Sequence, residues 1–255
     1  MISDFFEIFL LSIIQGVSEF IPVSSAAHLI LASNIYEFKN QSLLIDISLH
    51  LGSLLAILFY FKDDVFNFNK NKNLFYKIII GTIPLIIIGY FLYATNIIDY
   101  FRNIKVIAWA TLFFGILLYI ADKNKFLKKI DTDFNMKSVL IIGFFQVLAL
   151  IPGVSRAGIT ITAGRILGFD RTDSTKISFY LSIPALLGAS ALGIKDLFKE
   201  NIDFNLLVLI GVFLSFLFSL ITIKIFLKFV KNFSLNVFVV YRIFLAMVLF
   251  YIIYF

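Results

Sequence analysis

The chain contains no cysteine, which excludes thiolate zinc sites, iron–sulfur clusters, disulfide frameworks and a cysteine nucleophile. Only 15% of its 255 residues are charged, against roughly 25% in soluble domains. There are two histidines, four prolines and one tryptophan. A nucleic-acid surface needs Lys and Arg gathered on one polar face, and no segment offers one, so no nucleic-acid partner is expected. An ordinary cytosolic enzyme and a disordered chain are excluded by what is in excess. The chain is 60% hydrophobic and 17% aromatic, with 32 phenylalanines and a mean hydropathy of +0.97. That is the composition of an integral membrane protein, and the lipid bilayer is its first expected partner.

A spanning helix needs about 20 apolar residues. Six stretches qualify, at 43–61, 74–94, 104–121, 174–194, 205–227 and 235–255, separated by short polar connectors. Two further apolar regions, 5–35 and 138–170, are each interrupted by Pro and Ser. Their halves are about 10–14 residues long, the length of a re-entrant segment rather than a span. We therefore expect an all-α polytopic membrane protein, a single membrane domain over 1–255, with six transmembrane helices and two re-entrant helix-break-helix segments. The N-terminus lacks a basic n-region and a small-residue cleavage site, so it is expected to be retained.

The two interrupted regions resemble each other. Ile21-Pro22-Val23-Ser24-Ser25-Ala26 parallels Ile151-Pro152-Gly153-Val154-Ser155-Arg156-Ala157, and a Gln precedes each proline by six or seven residues. Three spans follow each copy. An odd number of spans per copy turns the second upside down, giving an inverted repeat of about 1–121 and 138–255. The net charge of +6 sits largely in connectors: 62–73 carries three Lys and 122–137 carries five. Placing these loops in the cytoplasm gives a consistent alternation, with both chain ends outside. Inverted repeats with broken helices put a ligand site where the breaks meet.

An ionisable side chain within an apolar segment costs about 2.5–3.5 kcal/mol on insertion scales, so each one is a functional candidate. The first interrupted region offers Glu19 and His28, the second Arg156 and Arg165. After each proline the chain restarts a helix whose first N–H groups lack intrahelical partners, which together with the helix dipole makes an anion site. Ser24, Ser25 and Ser155 suit either capping or ligand contact. Gly153 and Gly158 permit close backbone approach. Arg156 offers a fixed fork matched to phosphate oxygens and has no acid within ten residues on either side. Asp46 and His50 sit i,i+4 on one helix face, either as groups that orient the site and route protons or as an interhelical pair. Lys224 and Arg242 are expected to snorkel to the cytoplasmic interface, and Pro84 and Pro184 to kink their spans.

Gln15-Gly-Val-Ser-Glu19-Phe-Ile-Pro22-Val-Ser-Ser25-Ala-Ala-His28 closely resembles the glutamate-bearing signature of the bacterial undecaprenyl-diphosphate phosphatases, the bacitracin-resistance family. Pro152-Gly-Val-Ser-Arg156-Ala-Gly158-Ile-Thr160-Ile resembles that family's second signature. Asp46-x-x-x-His50-Leu-Gly-Ser53, Ser178-Phe-Tyr-Leu-Ser-Ile-Pro184 and the helix with Tyr241-Arg242 also match, so the resemblance runs end to end. It implies hydrolysis of undecaprenyl diphosphate to the monophosphate and inorganic phosphate in the bacterial inner membrane. That step recycles the lipid carrier for peptidoglycan, and a site open to the periplasm is implied with it. By motif position the resemblance places Glu19, Ser25, His28 and Arg156 at the centre, with Gln15, Ser24, Ser155 and Thr160 around them. It also implies dependence on Mg or Ca, with Glu19 as the metal-contacting carboxylate, and no organic cofactor; a homodimer is left open. Many members carry Glu where this chain has Gln15, and hydroxyl residues where it has Ala26 and Ala157.

Phosphoryl transfer is mostly positioning and electrostatics. Ser25 serves as nucleophile or as the group that positions water, with His28 or Glu19 as base and acid. The rival reading is a transporter or flippase of an anionic polyprenyl lipid, which needs Arg156 but has no evident need of Ser25 and His28 beside Glu19.

Overall fold

A computed structural model describes residues 2–36, 43–66, 68–124, 128–197 and 206–255. Among these residues the chain is helical, with no strand beyond one isolated bridge between Lys128 and Phe169. The helices are α1 (Ile2–Ser18), α2 (Ser25–Tyr36), α3 (Leu43–Tyr60), α4 (Lys62–Phe66), α5 (Phe68–Ala94) and α6 (Ile104–Asp122). There follow α7 (Ile130–Asp133), α8 (Met136–Val147), α9 (Arg156–Ile166), α10 (Arg171–Leu197), α11 (Leu206–Asn232) and α12 (Asn236–Tyr254). Among the described residues five helices are long and apolar enough to cross a bilayer: 71–94 of α5, α6, 171–194 of α10, α11 and α12. The sixth expected span is the shorter apolar helix α3. Outer faces carry exposed Ile87, Phe113, Phe213 and Phe244, a belt suited to lipid rather than water. The molecule is an all-α polytopic membrane protein.

Both interrupted regions are breaks between helices. The first lies between α1 and α2, the second between α8 and α9, where a short 3-10 turn over Leu148–Leu150 precedes it. The helices around them interlock. α1 packs on α11 and α8 on α5, while α3 packs on α11 and α10 on α5, so the helix leading into each break lies against a span from the other half of the chain. Small residues permit the close approaches. A Cβ on Gly52 of α3 would collide with the Val212 carbonyl of α11, and one on Gly143 of α8 with the Gly81 carbonyl of α5. The α3–α11 seam is further joined by Ser53, 2.9 Å from Ser219, and by Ser215, which donates to the Leu49 carbonyl at 2.6 Å. Lipid gives helices no hydrophobic reason to associate, so close backbone contact and interhelical hydrogen bonds hold such bundles together.

Two expectations are corrected. Arg165 does not belong to the breaks. It donates to the carbonyls of Phe169 (2.7 Å) and Asp122 (3.0 Å) and lies 3.4 Å from the Asp122 carboxylate. Asp122 also takes a bidentate contact from Arg171 and caps the Leu235 N–H, so this cluster ties α6, α9, α10 and α12 together at the end opposite the breaks' helix starts. In α5 one non-helical residue, Asn71, lies near the start, and the helix runs on through Pro84. Arg242 does not snorkel: it is 0% exposed, because five backbone carbonyls surround it more closely than any route to water. Lys224, by contrast, is exposed.

Candidate active site

The two breaks are built alike. Ser24 and Ser155 both adopt positive φ, 83° and 69°, which costs a non-glycine residue roughly 1–3 kcal/mol. Each then caps the helix that follows: Ser24 Oγ accepts from the Ala27 N–H at 3.4 Å, and Ser155 Oγ from the Gly158 N–H at 3.1 Å. Ser24 and Ser155 are thus caps, and the residue after each opens its helix. That residue is Ser25 in α2 and Arg156 in α9. Ser25 is left free of capping, and its hydroxyl turns elsewhere.

It turns to Glu19. Ser25 Oγ donates to Glu19 Oε2 at 3.0 Å, and Gln15 Nε2 donates to the same oxygen at 3.1 Å. Glu19 Oε1 accepts from Arg156 Nη2 at 2.7 Å, an ion pair whose side chains are 7% and 12% exposed. Arg156 therefore has an acidic partner, 137 residues away across the break, where its own neighbourhood in sequence has none. Its other guanidinium nitrogen donates to the Ser178 carbonyl at 3.2 Å. Thr160, one turn along α9, lies 2.7 Å from the Ser178 hydroxyl and 2.8 Å from the Arg156 carbonyl, tying α9 to α10 beside the arginine.

Ser25, Glu19 and Arg156 border a cavity of about 230 Å³, while Gln15, Thr160 and Ser178 support them from behind its wall. Ser18, Glu19, Ser24 and Ser25 line it from the first break. Ala149, Ile151, Pro152, Ser155 and Arg156 line it from the second. His50 of α3 and Ala185, Leu186 and Ala189 of α10 complete the wall. Two helix starts and a guanidinium at one cavity suit an oxyanion. A hydroxyl bonded to a carboxylate at the same cavity is an activatable nucleophile.

Comparison with known proteins identifies the family. The sequence fits the family described as bacitracin resistance protein BacA over residues 8–248. The chain belongs to this family. Proteins named undecaprenyl-diphosphatase are similar to it along their whole length. One from Pelagibacter ubique is 55% identical over 255 residues, covering all of both chains. Another from Elusimicrobium minutum is 41% identical over 249 residues, 94% of this chain and 95% of its own. A third, from Alteromonas mediterranea, is 40% identical over 259 residues, covering 96% and 97%.

Not every residue singled out in the sequence borders the cavity. His28 does not: Nδ1 lies 2.6 Å from the Ser24 carbonyl and Nε2 faces the Tyr241 hydroxyl, with the two rings stacked. A carbonyl only accepts, so Nδ1 carries the proton and, in the neutral ring, Nε2 accepts from Tyr241. Gly153, at φ +96°, packs against the Ile107 backbone, where a Cβ would lie 2.6 Å from the carbonyl oxygen. At Gly158 the space is taken by the Arg242 guanidinium, 3.0 Å from where a Cβ would be. His50 borders the cavity with Nδ1 2.7 Å from the Asp46 carbonyl, so in the neutral ring Nδ1 donates and Nε2 is the accepting nitrogen. Ser178, Tyr241 and Arg242 enter the sequence reading only as matches to the family pattern or as a snorkelling cation, without their contacts to Arg156, His28 and the two breaks. Tyr241 and Arg242 form a polar pair in an otherwise apolar helix, which was a readable signal.

Glu19 is the single carboxylate among the residues lining the cavity, so a divalent cation there would be held by it together with substrate phosphates rather than by an all-protein cage. Among the described residues no three His, Asp or Glu side chains converge, and both Glu19 oxygens are engaged by Arg156, Ser25 and Gln15.

Proposed function

We propose that this chain hydrolyses undecaprenyl diphosphate to undecaprenyl phosphate and inorganic phosphate. The observation that carries the reading is the chain of contacts Ser25–Glu19–Arg156 across the two breaks, at one cavity, in a member of the BacA family. Ser25 Oγ attacks the terminal phosphorus as its proton passes to Glu19. The bond to the bridging oxygen breaks, and the polyprenyl monophosphate leaves. Water then releases phosphate from Ser25 by the reverse proton movement, regenerating the hydroxyl. Arg156 and the first N–H groups of α2 and α9 stabilise charge on the transferred group. Glu19 rather than His28 acts as base to Ser25, because only Glu19 lies in hydrogen-bond reach of the hydroxyl. His28 holds the start of α2 through the Ser24 carbonyl.

The finer placement belongs to the same proposal. The two halves form an inverted repeat, supported by the matched caps and by the exchange of packing partners between broken helices and spans. The chain resides in the bacterial inner membrane, with the cavity toward the periplasm and the Lys-rich connectors inside. A flippase of the same lipid would use Arg156 and the helix starts, yet gain nothing from a serine hydroxyl on Glu19. The deciding experiment is phosphate release by detergent-purified protein from a polyprenyl diphosphate, with soluble pyrophosphate as control. Turnover of the lipid is expected. Binding without phosphate release would overturn the reading in favour of the transporter.

A further inference from the structure

Arg242 is the bulkiest fully buried side chain among the described residues, and nothing in the site as described so far uses it. No carboxylate lies within ion-pair distance of it among those residues. Its guanidinium donates instead to backbone carbonyls from three places. These are Pro22 in the first break (3.3 Å), Gly153 and Val154 in the second (both 2.9 Å), and Ala110 and Thr111 of α6 (3.5 and 3.2 Å). A planar group with five donors can reach three segments at once; an ammonium cannot. Room for it is reserved by glycine. A Cβ on Gly158 would lie 3.0 Å from Nη1, and one on Gly115 would lie 3.2 Å from the Arg242 Cβ.

The carbonyls it holds are not arbitrary. Pro22 stands two residues before Ser24, and Gly153 and Val154 stand immediately before Ser155. Those serines are the strained caps, and directly after them come Ser25 and Arg156. Burying a charge against neutral carbonyls alone is costly, so a well-packed apolar residue would serve a purely structural purpose better. We propose that Arg242 is a positioning residue of the hydrolytic centre. By pinning the two breaks to each other and to α6, it sets the distance between the Ser25–Glu19 pair on one and Arg156 on the other.

This inference rests on the hydrolase reading, and its test separates the two. Arg242→Lys, Arg156→Lys and the double variant are assayed for phosphate release from a polyprenyl diphosphate, beside thermal melting in detergent. In Arg242→Lys, kcat is expected to fall roughly 10- to 100-fold with KM little changed, the scale of misplacing reacting groups by about 1 Å. The double variant should lose less than the product of the single losses, because a clamp already out of place has less to lose. Unchanged kcat in a folded Arg242→Lys, or losses that multiply, would overturn the assignment. Should Arg242→Lys not be recovered folded, Gly115→Ala takes its place in the same cycle. It keeps the guanidinium and displaces its stem, and it is judged by the same two outcomes. Absence of phosphate release by the wild-type protein would remove the hydrolase reading and this inference with it, whereas an active wild type with an unaffected Arg242→Lys removes the inference alone.

Discussion

Removing one partner of the Glu19–Arg156 pair should hurt twice, and removing both should hurt only once. The pair is largely buried at 7% and 12% side-chain exposure, with 2.7 Å between charged atoms. Breaking a buried pair from one side typically costs about 3–5 kcal/mol, because the remaining charge is uncompensated. In Arg156→Gln the stranded carboxylate keeps its bonds from Ser25 and Gln15 and faces a cavity wide enough for water, so we place the loss nearer 2–3 kcal/mol. At about 2–4 °C per kcal/mol for a chain of this size, melting in detergent should fall by roughly 4–12 °C. Glu19→Gln should fall by a similar amount. Glu19→Gln/Arg156→Gln carries no stranded charge and should melt within about 1 kcal/mol of wild type, well short of the sum. Phosphate release should be at least about 100-fold lower in both single variants, the scale of one lost charge-stabilising donor, and should not return in the double variant. Stability recovered with activity still lost is the signature. A double variant destabilised by the sum of the singles would refute the pairing. The sequence alone argues the reverse for Arg156→Ala, a fold no less stable, since no acid lies within ten residues.

Ser25→Ala should lower kcat by about 100-fold or more, while His28→Ala, whose ring contacts Ser24 and Tyr241 rather than the cavity, should cost roughly 10-fold; equal losses would return His28 to the acid–base role. Asp122→Ala removes the anion shared by Arg165 and Arg171, so melting should fall by about 3–5 kcal/mol with kcat of the folded fraction unchanged, checked by activity normalised to folded protein. Cysteines at Asn71 and Asn124 should be labelled only from the cytoplasm, and one at Asn201, outside the described residues, only from outside; external labelling of Asn124→Cys in intact cells would end the inverted-repeat orientation.

The spans were legible because a bilayer imposes length and apolarity on any helix that crosses it. α3, the sixth expected span, is a shorter apolar helix, 18 residues beside the 19 of α6 and α12, and it carries Asp46 and His50 in its first half. The breaks were legible too, since Pro and Ser within apolar runs have few other uses. What remained hidden was pairing. Glu19 meets Arg156 across 137 residues, and Arg242 meets Pro22 across 220. Local sequence cannot announce such partners, because the helix leading into each break packs against a span from the other half of the chain. The snorkelling expected of Arg242 and the isolation expected of Arg156 failed for this one reason: both were judged by sequence neighbours, and their compensating groups come from elsewhere.

The same interlocking explains how two near-identical breaks make one asymmetric site. Ser24 and Ser155 hold the same strained backbone and cap their helices through the same i to i+3 bond. The frame is duplicated, but the residue that opens each helix differs. Two arginines there would repel across the cavity and leave no nucleophile; two serines would leave an arriving diphosphate and Glu19 facing each other without a cation. One hydroxyl and one guanidinium, with Glu19 bonded to both, neutralise the carboxylate at rest and free the arginine for phosphate as the serine proton moves onto Glu19. On that logic Ser25 and Arg156 are not interchangeable between breaks, because Glu19 comes from the first break only. With Pro22 paired to Pro152, the position in the second break that matches Glu19 is Ala149, with no carboxylate to receive a proton.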